Sequence, residues 1–175
     1  TEETAEAFEM KTIEPPEDGW TLDELLSVTY VYGQQLENPC TLNTLGDDFS
    51  FDLSTFTYFE ENNSSAIMLQ YQNTIISAVS LYNCKNQGDV CDTTEINGYV
   101  FNLSFENNNA SNLYINGITF YSLLDKVIKQ LGEPDIIEKA SETTYIAYHK
   151  SNTNDNLLAM SFNANDELTS FKISY

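Results

Sequence analysis

Between Ser122 and Pro134 the chain reads SLLDKVIKQLGEP, and one short helix has both its ends and its buried face written there. Leu123, Leu124, Val127, Ile128 and Leu131 recur at helical spacing, while Asp125, Lys126, Lys129 and Gln130 fall on the opposite face. Ser122 and Asp125 make an S-x-x-D cap, Gly132 sits just past the end, and Pro134 prevents continuation. Three segments follow: TTYIAYHK, LLAMSFNA and LTSFKISY. They are rich in apolar, β-branched and aromatic residues and are joined by Asn-containing loops. A helix followed by an antiparallel meander is an α+β unit, so the expected fold class is α+β, with short helices packed on antiparallel sheets.

The upstream sequence is compatible with the same plan. Thr21 to Glu24 fits a capping box, predicting a helix that ends near Ser27. VTYVYGQQL reads as a strand with a turn at Gly33, and Leu42 with Leu45 predicts one helical turn closed by Gly46. FSFDLSTFTYF, AIMLQYQ, TIISAVSLYN and NGYVFNLSFE read as strands, with turns at Asn73 and over Asn107 to Asn112. LYINGITF reads as a further strand kinked or turned at Gly117. Gly33 precedes Gly46 by 13 residues and Gly117 precedes Gly132 by 15, which leaves room for two related subdomains. The expected organisation is an acidic flexible tether over residues 1–19, a mostly-β subdomain over 20–112, and a strand, helix and β-meander subdomain over 113–175. The Pro-containing, acidic start reads as a tether joining something removed upstream to a domain that begins near Trp20.

Charge narrows the partners. The 27 acidic residues against 7 basic ones, all lysines, give a net charge of −20. Such a surface repels phosphate backbones, so no nucleic acid is expected, and anionic membranes are disfavoured without a lipid anchor or bridging cations. The lack of arginine also removes the side chain best suited to forked recognition of phosphate. Solubility is the plain reading of the acidity, and cationic partners are the functional one.

Cysteine chemistry is left open. Cys84 and Cys91 bracket KNQGDV, a Gly-containing turn, so a loop-closing disulfide is easy in an oxidising compartment; two free thiols are the other reading. A zinc site lacks support, because the only histidine, His149, is distant and no C-x-x-C occurs. His149 is expected to face solvent from a strand in which Ile146 and Tyr148 face inward. Neither G-x-S-x-G nor H-E-x-x-H occurs, and no pair of carboxylates stands out by spacing, so no catalytic residue is assigned. The oxygen-rich runs at Asn152 to Asn156 and Asn163 to Glu167 could suit calcium, but both lack the central Gly of an EF-hand and fall where turns are needed. No cofactor or metal is expected. Tyrosines remain as candidates for a binding face on a sheet, with Tyr114, Tyr145 and Tyr148 singled out, although half-buried packing is the commoner role of strand tyrosines. Asn62, Asn63, Asn102 and Asn109 start N-x-S sequons, relevant only in a eukaryotic secretory host that the composition does not suggest.

The segments LYINGITFYSLLDKVIKQLGEPD, TTYIAYHK and LLAMSFNANDELTSFKIS, with LENPCTLNTLGDDFSFD further upstream, carry a resemblance. Over residues 20–175 the chain resembles uncharacterised secreted or lipid-anchored proteins of Gram-positive gut bacteria. Over 114–175 the helix, Leu-Gly-x-Pro turn and meander look like units of the SmpA/OmlA (BamE-like) and β-lactamase-inhibitor-protein groups. The resemblance implies a non-catalytic extracytoplasmic interaction module, extracellular or on the cell surface. Its partner would be a protein or cell-envelope component, and it would touch a membrane only through a lipid anchor. A carboxylate-based extracellular hydrolase is the alternative.

Overall fold

The computed structural model describes residues 10–105 and 112–175. The first nine residues of the expected tether, and the expected turn over residues 107–111 with its sequon at Asn109, lie outside them.

Among the described residues three short α-helices accompany eleven strands. Helix α1 (Leu22–Ser27) opens on the expected capping box: the Glu24 amide donates to the Thr21 side chain, and the Thr21 amide donates to the Glu24 carboxylate. Strands β1 (Thr29–Val31) and β2 (Gln34–Gln35) form a hairpin, and Thr41 then caps the single turn α2 (Leu42–Leu45). Four antiparallel strands follow: β3 (Phe49–Phe59), β4 (Ser64–Tyr71), β5 (Thr74–Leu81) and β6 (Ile96–Asn102). Strand β7 (Leu113–Ile115) leads to α3 (Leu124–Leu131), and four more strands close the chain. These are β8 (Ile136–Lys139), β9 (Thr144–His149), β10 (Asn156–Phe162) and β11 (Leu168–Ser174).

Each half therefore runs helix, then four antiparallel strands. The eight-stranded sheet has the order β3-β4-β5-β6-β11-β10-β9-β8, so the last strand of each half meets the other at the centre. A smaller sheet, β2-β1-β7, is likewise built from both halves. The two glycine pairs occupy matching backbone: Gly33 and Gly117 both have φ 81, each after a residue near φ 50, while Gly46 and Gly132 cap α2 and α3 with φ 104 and 86. Only a residue without Cβ takes such φ values freely.

One face of the large sheet is the core face. The cross-strand row Ile67, Val79, Tyr99, Ile173, Leu158 and Tyr148 is buried throughout, and the helices and small sheet contribute Trp20, Leu25, Val31, Val127 and Leu131 to the same cluster. Residues 10–19, the described part of the expected tether, lie on this body. Lys11 N–H donates to the Tyr30 hydroxyl, Ile13 is held by the Asn116 side chain, and Ser151 Oγ donates to the Asp18 carbonyl. The carbonyls at the end of α3, which no helical N–H can reach, are taken up here. Asn116 Nδ2 donates to Gln130 O, Trp20 Nε1 to Leu131 O, and the Tyr148 hydroxyl to Gly132 O.

Two expectations need correction. Ser122 does not cap α3: its hydroxyl accepts from the Thr119 amide and so closes the preceding turn, and extended Leu123 stands at the cap. In consequence Leu123 is 54% exposed and does not belong to the packed face, whereas Leu124, Val127 and Leu131 do. The sequence reading also missed β8, an edge strand of four residues. Its charged Glu138 and Lys139 suit an edge that must not recruit another strand.

Candidate binding face

The outer face of the eight-stranded sheet is turned away from the cluster it shares with the helices and the small sheet, and its composition is set by strand alternation. Residues of β4 to β6 and β9 to β11 that do not enter the core must point the other way. One directly paired row across these strands is Met68, Ala78, Val100, Lys172, Ala159 and Ala147. A neighbouring row carries Ala66, Ser80, Gly98 and Ser174. At a strand spacing of about 4.8 Å, the first row extends about 24 Å; half of its members are alanines, Val100 and Lys172 are exposed, and Ala147 at the β9 end is buried.

Two features distinguish this face. The first is charge. None of the six strands between the edges contains Asp or Glu, although the chain has 27 of them, and the only formal charge in those strands is Lys172. The second is its low relief. A Cβ at Gly98 would lie 2.7 Å from Ser80 Oγ and 3.1 Å from the Ile173 carbonyl, so the backbone there stays bare. Around Lys172 a hollow of about 220 Å3 is lined by Tyr145, Asn156, Ser161, Ser170 and Ser174. Val100, 37% exposed, also lines it.

The three tyrosines singled out from sequence do not share a surface. Tyr145 is half-buried on the outer face, opposite Ser161 and Glu138. Tyr114 belongs to the small sheet, opposite Tyr30. Tyr148 is only 3% exposed on the core face; burial, then the nearby charges of Glu133 and Asp135, push its hydroxyl well above the usual tyrosine range. A buried phenol that donates to Gly132 O belongs to the fold, which removes Tyr148 from any binding face. What sequence reading overlooked was the outer face itself, whose signal was the lack of carboxylates in six strand segments.

A larger hollow, about 460 Å3, lies elsewhere, between residues 15–20 and the end of α3. Glu17, Asp18, Glu133, Asp135 and His149 line it, and the His149 amide donates to Asp135 Oδ2 at 2.7 Å. Among the described residues no group of three or more His, Cys, Asp or Glu could hold a metal ion. The two oxygen-rich loops spend side chains on turn geometry: Asn163 Oδ1 accepts from the Asn165 and Glu167 amides, and Thr153 Oγ1 accepts from the Asp155 amide.

Cys40, Cys84 and Cys91 are free thiols. Cys40 is fully buried and accepts from the Tyr99 hydroxyl at 2.8 Å. Burial raises the Cys84 thiol, with contributions from Asp89 and the neighbouring Cys91. Cys91 is exposed, and hydrogen bonds from the Thr93 and Thr94 side chains lower its pKa. Among the described residues the helices are short, and none is long and apolar enough to cross a membrane. No protein-family model, curated protein or solved structure matches the chain.

Proposed function

We propose that the chain is a non-catalytic binding module that works outside the cytoplasm and engages a protein or cell-envelope component through the outer face of its large sheet. One observation carries this reading: a chain with net charge −20 keeps every carboxylate out of the six central strands and leaves their outer face low and weakly polar. Solvated acidic residues are costly to cover, and protein interfaces are depleted of them at their centres. The inhibitor-like form of the reading draws on the doubled helix-and-meander unit, and surface attachment draws on the resemblance to secreted and lipid-anchored proteins.

Site-specific photocrosslinking tests it. A photoreactive phenylalanine analogue placed at Val100 is expected to capture a partner from cell-envelope material, while the same group at Lys126, on the outer side of α3, captures none. Equal capture at both positions, or capture only at Lys126, would refute the assignment of the face.

The hydrolase reading has the acidic hollow in its favour, since four carboxylates line it. Its test is turnover of a panel of glycoside and peptide substrates by the native chain and by Glu133→Gln with Asp135→Asn. Turnover abolished in the double variant would favour the enzyme over the module.

A further inference from the structure

We infer that the hollow at Lys172 receives the carboxylate of an Asp or Glu side chain presented by the protein partner. The inference rests on the outer-face reading above and adds the chemistry of what must sit at its centre.

Lys172 stands between Val100 and Ala159 in the middle of the sheet, and it has no ion-pair partner among the described residues. Covering this face with any partner strips water from the ammonium group. An ammonium buried without a counter-charge is strongly unfavourable, so a partner that brings an anion to this spot is favoured over one that covers it with neutral groups. The chain itself supplies none, because the strands around it hold no acidic residue.

The surroundings favour a carboxylate. Asn156 Nδ2 donates to the Tyr145 hydroxyl oxygen at 3.4 Å, which leaves the phenol proton free to donate into the hollow. The Ser161 and Ser170 hydroxyls lie on the same outward side and supply further donors. One ammonium with a few neutral donors matches a single negative charge. A phosphate dianion would meet the repulsion of a net −20 chain twice over, with no arginine fork to hold it. A volume of about 220 Å3 is ample room for one acidic side chain.

The experiment is selection of a displayed library of random dodecapeptides on the purified chain, followed by affinity measurement on three targets: native, Lys172→Met and Val100→Gln, the last a longer side chain that leaves the charge unchanged. Both positions are exposed, and circular dichroism checks that both variants fold. The expected result is enriched peptides that carry Asp or Glu, lose binding on Val100→Gln, and weaken at least about tenfold on Lys172→Met. Changing the peptide's Glu to Gln should weaken binding to the native chain by a similar factor and leave binding to Lys172→Met unaltered. Peptides that lose binding on Val100→Gln yet carry no acidic residue and ignore Lys172→Met would overturn the carboxylate inference while sustaining the binding face. Peptides indifferent to both substitutions would overturn the binding face as well.

Discussion

Replacing Asn116 tests how firmly residues 10–19 belong to the folded body. Its side chain is 0% exposed and makes three hydrogen bonds: Oδ1 accepts from Ile13 N–H at 2.8 Å, and Nδ2 donates to Ile13 O at 2.9 Å and to Gln130 O at 2.7 Å. The amide thereby pairs with Ile13 much as a backbone would, and it quiets a carbonyl at the end of α3. Each neutral bond contributes about 0.5–1.5 kcal/mol net, so losing three costs roughly 2–4 kcal/mol. Alanine would add about 1–2 kcal/mol of backbone strain, because position 116 has φ 48. Glycine takes that conformation freely, so Asn116→Gly isolates the hydrogen bonds from the strain. Urea unfolding of native, Asn116→Gly and Asn116→Ala chains measures both terms, and hydrogen exchange at the Ile13 amide reports whether the segment has come away. The account expects a loss of about 2–4 kcal/mol for glycine, more for alanine, and faster exchange at Ile13 in both. A glycine variant within about 0.5 kcal/mol of native, with Ile13 still protected, would show that Asn116 does not anchor residues 10–19.

Other consequences can be checked separately. Val127 is 0% exposed on the packed face of α3, and an unpaired carboxylate there removes most or all of the stability of an ordinary domain. Val127→Asp should therefore be unfolded by circular dichroism at 25 °C, and a cooperative native-like transition would contradict the packed face. Iodoacetamide should label Cys91 first, at lower pH than an ordinary cysteine, then Cys84 and last Cys40; early labelling of Cys40 would contradict its burial. Desolvation raises Tyr99, Tyr148 and Tyr175, so these phenols keep their protons in the fold while unfolded tyrosines lose theirs near pH 10. The associated stability is complete below about pH 10 and declines as pH rises toward the raised values. Unfolding midpoints should fall steeply above pH 10, and a flat profile there would count against the burial of these hydroxyls.

Local signals in the sequence were sufficient where they act alone. The box at Thr21 to Glu24, the closure of α2 at Gly46, the turn at Asn73 and the end of α3 at Gly132 all depend on neighbours in sequence, and they are where the spacing put them. Tertiary pairing decided the cases that differed. Ser122 had the right identity for a cap, but its hydroxyl was engaged by Thr119 and its backbone by Leu168. The IIEK strand became visible only through its pairing with β9. Strand alternation placed Tyr148 and Ile146 inward correctly, yet it could not say that Tyr145 and Tyr114 belong to different sheets. The candidate face was harder still. Its members come from six strands, and only the meeting of β6 with β11 brings them together around Lys172.

Selective acetylation of lysines reports whether the outer face of the large sheet is the binding face. The seven lysines report on separate parts of the surface, and Lys172 alone lies on the outer face of the central strands. Labelling with an acetyl ester, read out by peptide mass spectrometry, is compared for the free chain and for the chain bound to cell-envelope material. The account predicts that Lys172 becomes protected on binding while Lys85, Lys126 and Lys129 keep their free rates. A bound chain whose Lys172 reacts as fast as in the free protein would contradict it.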